Sequence, residues 1–99
     1  MGEQHDDNAV VARNVVVAGH VQGVFFRVST LRQARAADVV GWVRNRPDGC
    51  VEAHLQGGVE SVDTIIAWMR AGGPPAARVN QVDVADVAPI DADGFAVTR

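Results

Sequence analysis

The sequence predicts an α+β fold, a βαββαβ chain whose two helices pack on one face of an antiparallel sheet. Three observations lead there. Val15, Val16 and Val17 form a β-branched run that closes on Gly19. Val51, Ala53 and Leu55 alternate strictly against Cys50, Glu52, His54 and Gln56, the signature of a strand with one buried and one wet face. Val62, Ile65, Ile66 and Met69 recur at helical spacing ahead of a Gly-Gly-Pro-Pro stop at residues 72–75.

Each element follows in order. Residues 13–18 are the first strand, and residues 28–38 a helix with Val28, Leu31 and Ala34 on its apolar stripe and Ser29 or Thr30 at its start. Residues 39–45 and 50–56 form a hairpin, because Pro47 fixes φ in the turn and Gly49 supplies its left-handed corner. Residues 61–71 are the second helix, with Ser61 suited to the cap. Residues 78–87 form another strand, in which Val82 and Val84 alternate against Asp83. Phe95 and Val97 mark a short last one. Right-handed crossovers place the first and third strands at the centre of the sheet with the second beside the third, the ferredoxin-like arrangement.

Composition bounds what such a fold does here. At 99 residues with 47% hydrophobic content, the chain has room for one core and one domain, expected over residues 13–99. Residues 1–12 carry Glu3, His5, Asp6 and Asp7 without periodicity and read as a flexible tail. No targeting segment and no membrane-length apolar run is present, so a cytoplasmic location without a membrane partner is expected. The single cysteine agrees with a reducing compartment. With a net charge of −3, the chain lacks the broad basic face that nucleic acid requires. Nor do the central strands offer aromatics on which bases stack, which excludes an RNA-recognition reading of the same topology.

A small anion needs only one local seat, and residues 19–27, Gly-His-Val-Gln-Gly-Val-Phe-Phe-Arg, build one. Gly19 and Gly23 let the backbone curl, no proline removes an amide between them, and the following helix adds its positive end. Arg27 supplies a planar donor fork matched to two phosphate oxygens. A second string, Gly41-Trp42-Val43-Arg44-Asn45, runs into Pro47-Asp48-Gly49-Cys50-Val51-Glu52-Ala53-His54-Leu55-Gln56-Gly57. Gly41, Val43 and Asn45 share one face of the second strand by its period of two. Taken singly, Arg27 reads as a solvated helix-start arginine and Asn45 as a turn residue. Jointly, inside both strings, they read as a site.

The two strings, with Gly73-Pro74-Pro75-Ala76-Ala77-Arg78-Val79 ahead of a strand, resemble the acylphosphatase family over roughly residues 13–99. The resemblance implies hydrolysis of an acyl phosphate to a carboxylate and inorganic phosphate, the latter also an inhibitor. It implies that Arg27 and the amides of His20, Val21, Gln22, Gly23, Val24 and Phe25 hold the phosphate, and that Asn45 orients the attacking water, with no metal, cofactor or phosphoenzyme. The residue chemistry agrees. An asparagine accepts from a water and donates to a phosphoryl oxygen but is no strong base, and neither string carries an activated nucleophile. An acyl phosphate has a carboxylate leaving group, so an aligned water and neutralised equatorial oxygens suffice for it. A non-catalytic module binding phosphate or carbamoyl phosphate on the same fold is the alternative. His20 is expected as an exposed loop side chain, His54 as solvated, Cys50 as inert, and Trp42 and Phe26 as packing residues. Gln22 either touches ligand or braces the loop.

Overall fold

The computed structural model describes residues 9–99. Seven elements follow in order: β1 (Val10–His20), α1 (Phe26–Ala36), β2 (Val40–Asn45), β3 (Val51–Gly58), α2 (Val59–Arg70), β4 (Arg78–Asp86) and β5 (Phe95–Val97). The sheet runs β4-β1-β3-β2-β5. Its first four strands are antiparallel neighbours, with β1 and β3 central as the crossover rule requires. The fifth is parallel to β2, pairing Val43 with Val97, so the full sheet is mixed rather than wholly antiparallel.

Both helices lie on one face, and the core is what their apolar stripes share with the inward side chains of the strands. Val15, Val17, Val51, Ala53 and Leu55 meet Val62, Ile65 and Met69 there, all essentially without solvent contact. Phe26 and Trp68 join the helices, with ring centroids 5.5 Å apart in a tilted pair. Thr30 is buried because its hydroxyl donates to the Phe26 carbonyl at 2.9 Å, which leaves it no unmet polar demand.

Several boundaries differ from expectation. β1 begins at Val10 rather than 13, because its first residues continue the ladder with β3 as far as Val10 opposite Gly58. The rest of the expected tail, residues 1–8, lies outside the described residues. α1 starts at Phe26, and its N-cap is Phe25, not Ser29 or Thr30. α2 starts at Val59 behind Gly58, which places Ser61 inside the first turn instead of at the cap. The hairpin turn is as expected: the Arg46 amide donates to Cys50 O at 2.8 Å, the Gly49 amide donates to Arg46 O at 3.1 Å, and Gly49 sits at φ 92°.

His54 is not solvated. Only 4% of it is exposed, although it points to the face away from the helices. Trp42 stacks on it at 6.2 Å, and Gln56 lies 2.9 Å from its Nε2. The Gln56 amide in turn donates to Ile90 O and accepts from Ile90 N, pinning the segment after β4 to this face. Alternation along β3 shows which way His54 points but not that it is buried there between Trp42 and Gln56.

Candidate active site

The path of the chain out of β1 shapes the site. The pairing of β1 with β4 slips in register between Ala18 and Gly19, and Gly19 adopts φ 136°. A Cβ there would overlap the Arg78 carbonyl oxygen, so only glycine lets β1 bulge before the chain leaves the end of the strand. Gly23 at φ 77° and Phe25 at φ 67° are then both left-handed, and α1 begins directly after. Left-handed residues next to helical ones turn successive amides to the same side, the geometry of an anion nest.

The amides of residues 21–28 make no backbone hydrogen bond as donors among the described residues. The end of α1 is equally open. No side chain caps it, and no acidic residue lies in its first turn. Arg27 occupies that turn, where a cation meets the positive end of the helix dipole. It makes no salt bridge among the described residues. The neighbouring arginines are engaged: Arg44 Nη2 donates to Glu52 at 2.7 Å and Arg46 to Asp48 at 2.9 Å. The Asn14 amide and then Arg44, both hydrogen-bonded to Glu52, hold its carboxyl below the usual range. A cavity of about 350 Å³ opens beside the helix start, lined by Val21, Gly23 and Phe25 of the loop, Arg27 of α1 and Val97 of β5.

Asn45 closes β2, opposite Val51, on the same helix-covered face as the buried Gly41 and Val43. Its Oδ1 is buried and has no hydrogen-bond partner. The other such atom among the described residues, Arg13 Nε, lies 3.4 Å from the Asp86 carboxylate, so of the two only Asn45 Oδ1 has neither a hydrogen bond nor an ion pair. Leaving a buried carbonyl unmet costs about 1–3 kcal/mol, and such an atom accepts readily from a water.

Gln22 connects the two halves. Its Nε2 donates to Arg46 O at 2.8 Å and to Cys50 O at 2.9 Å, which ties the loop to the hairpin immediately after Asn45. Of the two roles open to Gln22, bracing is the one its contacts show. Not every residue of the loop faces the cavity: His20 is exposed at the end of β1, and Val24 is packed in the core. Asn45 does not line the cavity itself. Cys50 is half-buried, and burial followed by the nearby Asp48 carboxylate pushes its thiol up, away from the thiolate a nucleophile requires. Sequence reasoning missed Val97, which a three-residue strand brings alongside, and, although it included Phe25 in the loop, it missed that residue's left-handed conformation, for which no propensity gives a signal.

Comparison with known proteins places this chain in a family. The acylphosphatase family model matches residues 13–97. Curated acylphosphatases of Azoarcus sp. and Methylococcus capsulatus are 46% identical over 90% of both chains and 52% identical over 76% of this chain and 80% of that one. The solved acylphosphatase of Coxiella burnetii superposes with a TM-score of 0.86 at 35% identity, covering 96% of this chain and 98% of its own. The chain belongs to the acylphosphatase family.

Proposed function

We propose that this acylphosphatase holds the phosphoryl group of its substrate on Arg27 and the amides between His20 and Phe25, while Asn45 aligns a water for in-line attack. One observation carries the reading: a run of amides without backbone partners leads into a helix start that lacks both cap and acid and carries Arg27 instead. An anion satisfies all three demands together. The water donates to Asn45 Oδ1, whose lone pairs are unclaimed, and the asparagine amide donates to a phosphoryl oxygen. Attack of the water oxygen at phosphorus forms the new P–O bond and breaks the bond to the acyl oxygen, and the water's proton passes to a phosphoryl oxygen, so the products are a carboxylate and protonated inorganic phosphate. The carboxylate leaves without needing a proton, so the absence of a general acid is no obstacle. Inorganic phosphate, the other product, fits the same seat and inhibits by competition.

The reaction runs without a metal or a cofactor on this reading, supported by the described residues, which bring no three of His, Cys, Asp and Glu together as a ligand group. The substrate is a diffusible small molecule of the cytoplasm rather than a nucleic acid, in keeping with the net charge of −3. No described helix is long and apolar enough to cross a membrane. Turnover of benzoyl phosphate in excess chelator tests the mechanism. We expect full activity there and poor turnover of simple phosphate monoesters. An enzyme silent in chelator and revived by magnesium would overturn it, and phosphate binding without turnover would favour the binding-module alternative.

A further inference from the structure

We propose that the cavity at the start of α1 has a second, apolar compartment that selects acyl phosphates with an aromatic or otherwise apolar acyl group, and that Phe25 and Val97 form its walls. The inference rests on the phosphate seat argued above and extends it to the other end of the substrate. An acyl phosphate bound by its phosphoryl group must direct its acyl group somewhere. At about 350 Å³ the cavity is within the range of small-ligand pockets and larger than a phosphoryl group requires. Apart from Arg27, the side chains that line it are Val21, Phe25, Phe26, Val28 and Val97, so a second charge on the acyl group would find no partner.

Phe25 is the residue that packing and backbone preference both fail to explain. It is 77% exposed, so folding gains little from its ring, and it holds φ 67°, a conformation that bulky L-residues rarely take. Glycine takes the same conformation without strain at position 23, two residues earlier. An aromatic kept at such a place gains its contact from a ligand. Val97, 41% exposed on β5, faces the same cavity from the sheet side. An aryl group between them would exchange water for apolar contact on both faces.

The test is the ratio of kcat/KM for benzoyl phosphate to that for acetyl phosphate, which cancels the seat common to both. Phe25→Ala should lower this ratio about tenfold relative to wild type, the discrimination a few apolar groups provide in a pocket. Phe25→Leu, which keeps an apolar wall, should restore most of it. Val97→Thr, nearly isosteric but bearing a hydroxyl, should lower it in the same direction and carries the test should Phe25→Ala lose its circular-dichroism signature of folding. A ratio unmoved by the folded variants would overturn the proposal. A wild-type enzyme that turns over neither compound would instead remove the phosphate seat on which the proposal stands.

Discussion

The two helices of this fold begin in opposite ways. α2 starts behind Gly58, its first amide donates to Ala9 O at 3.1 Å, and Glu60 sets a negative charge in its first turn. α1 starts behind a left-handed Phe25 with no cap, no acid and an arginine in that turn. The helices are of nearly equal length and share one face of one sheet, so the difference is local. Neither helix has a side-chain cap, but α2 has its first amide bound to Ala9 O and an acid in its first turn that contributes about 0.3–1 kcal/mol, and α1 forgoes both. A ligand bound only by the folded state contributes about 2.7 kcal/mol at a hundredfold excess over its Kd, enough to offset the deficit when the site is well saturated. One helix end is finished from within the chain; the other, on the function proposed above, is finished by the ligand.

Arg27 is where this contrast breaks most visibly. Arg27→Ala should lower kcat/KM by about a thousandfold, because a charge-assisted fork on the transferring phosphoryl group is lost. Arg27→Lys keeps the charge but not the planar pair of donors, so it should be nearly as inactive. Inorganic phosphate should raise the Tm of the wild type and of neither variant, since only the folded state with an intact seat binds it. A lysine variant with near-wild-type turnover would show that charge alone suffices.

Asn45 separates holding from attacking. Asn45→Ala should lower kcat about a hundredfold or more while competitive inhibition by phosphate changes little. Weakened phosphate inhibition with kcat intact would reverse the roles assigned to Asn45 and the loop.

Most of the fold was legible in the sequence because each buried face repeats at the period of its element. Val51, Ala53 and Leu55 on β3 and Val62, Ile65, Ile66 and Met69 on α2 occupy the core their spacing promised. The residues of the proposed site stood out for another reason: Gly19, Gly23, Arg27 and Asn45 are residue types that conformation or chemistry, rather than packing, would select. The rest depends on contacts that span the chain. Gln22 meets carbonyls 24 and 28 residues away, and Gln56, the partner of His54, is tied to Ile90, 34 residues on, neither of which leaves a periodic trace. The start of α1 was misplaced because helix signals look for a polar cap, and the residue found there is an exposed phenylalanine.

Gln22 couples the open helix end to the hairpin, and its removal should have an intermediate effect. Gln22→Ala removes one of two donors from each of two carbonyls, the turn amides staying bound, so stability should fall by about 1–2 kcal/mol and kcat by about tenfold as the loop drifts from Asn45. Gln22→Glu sharpens the test. A carboxylate facing the Arg46 and Cys50 carbonyls repels where the amide donated, so this variant should be less stable than the alanine variant at neutral pH and should recover as the acid is protonated. Denaturation midpoints at pH 7 and pH 4 decide it, and equal stability of the two variants at both pH values would show that Gln22 is not a brace.

The smallest effect belongs to α2, whose closed end should matter to stability alone. Glu60 is exposed in the first turn, far along the chain from the loop, and its side chain acts on the helix through charge. Glu60→Gln should therefore lower stability by about 0.3–1 kcal/mol at low salt and leave kcat/KM for benzoyl phosphate unchanged. Near 1 M salt, where the screening length is about 3 Å, the difference should shrink toward zero. Glu60→Arg gives α2 the same cation that α1 carries, and should roughly double the loss without creating a phosphate site, because the α2 amide at Val59 is already bound to Ala9 O. A phosphate-dependent rise in Tm that grew in Glu60→Arg would mean that a cation at a helix start is enough to make a seat, and the loop of free amides would no longer be needed to explain α1.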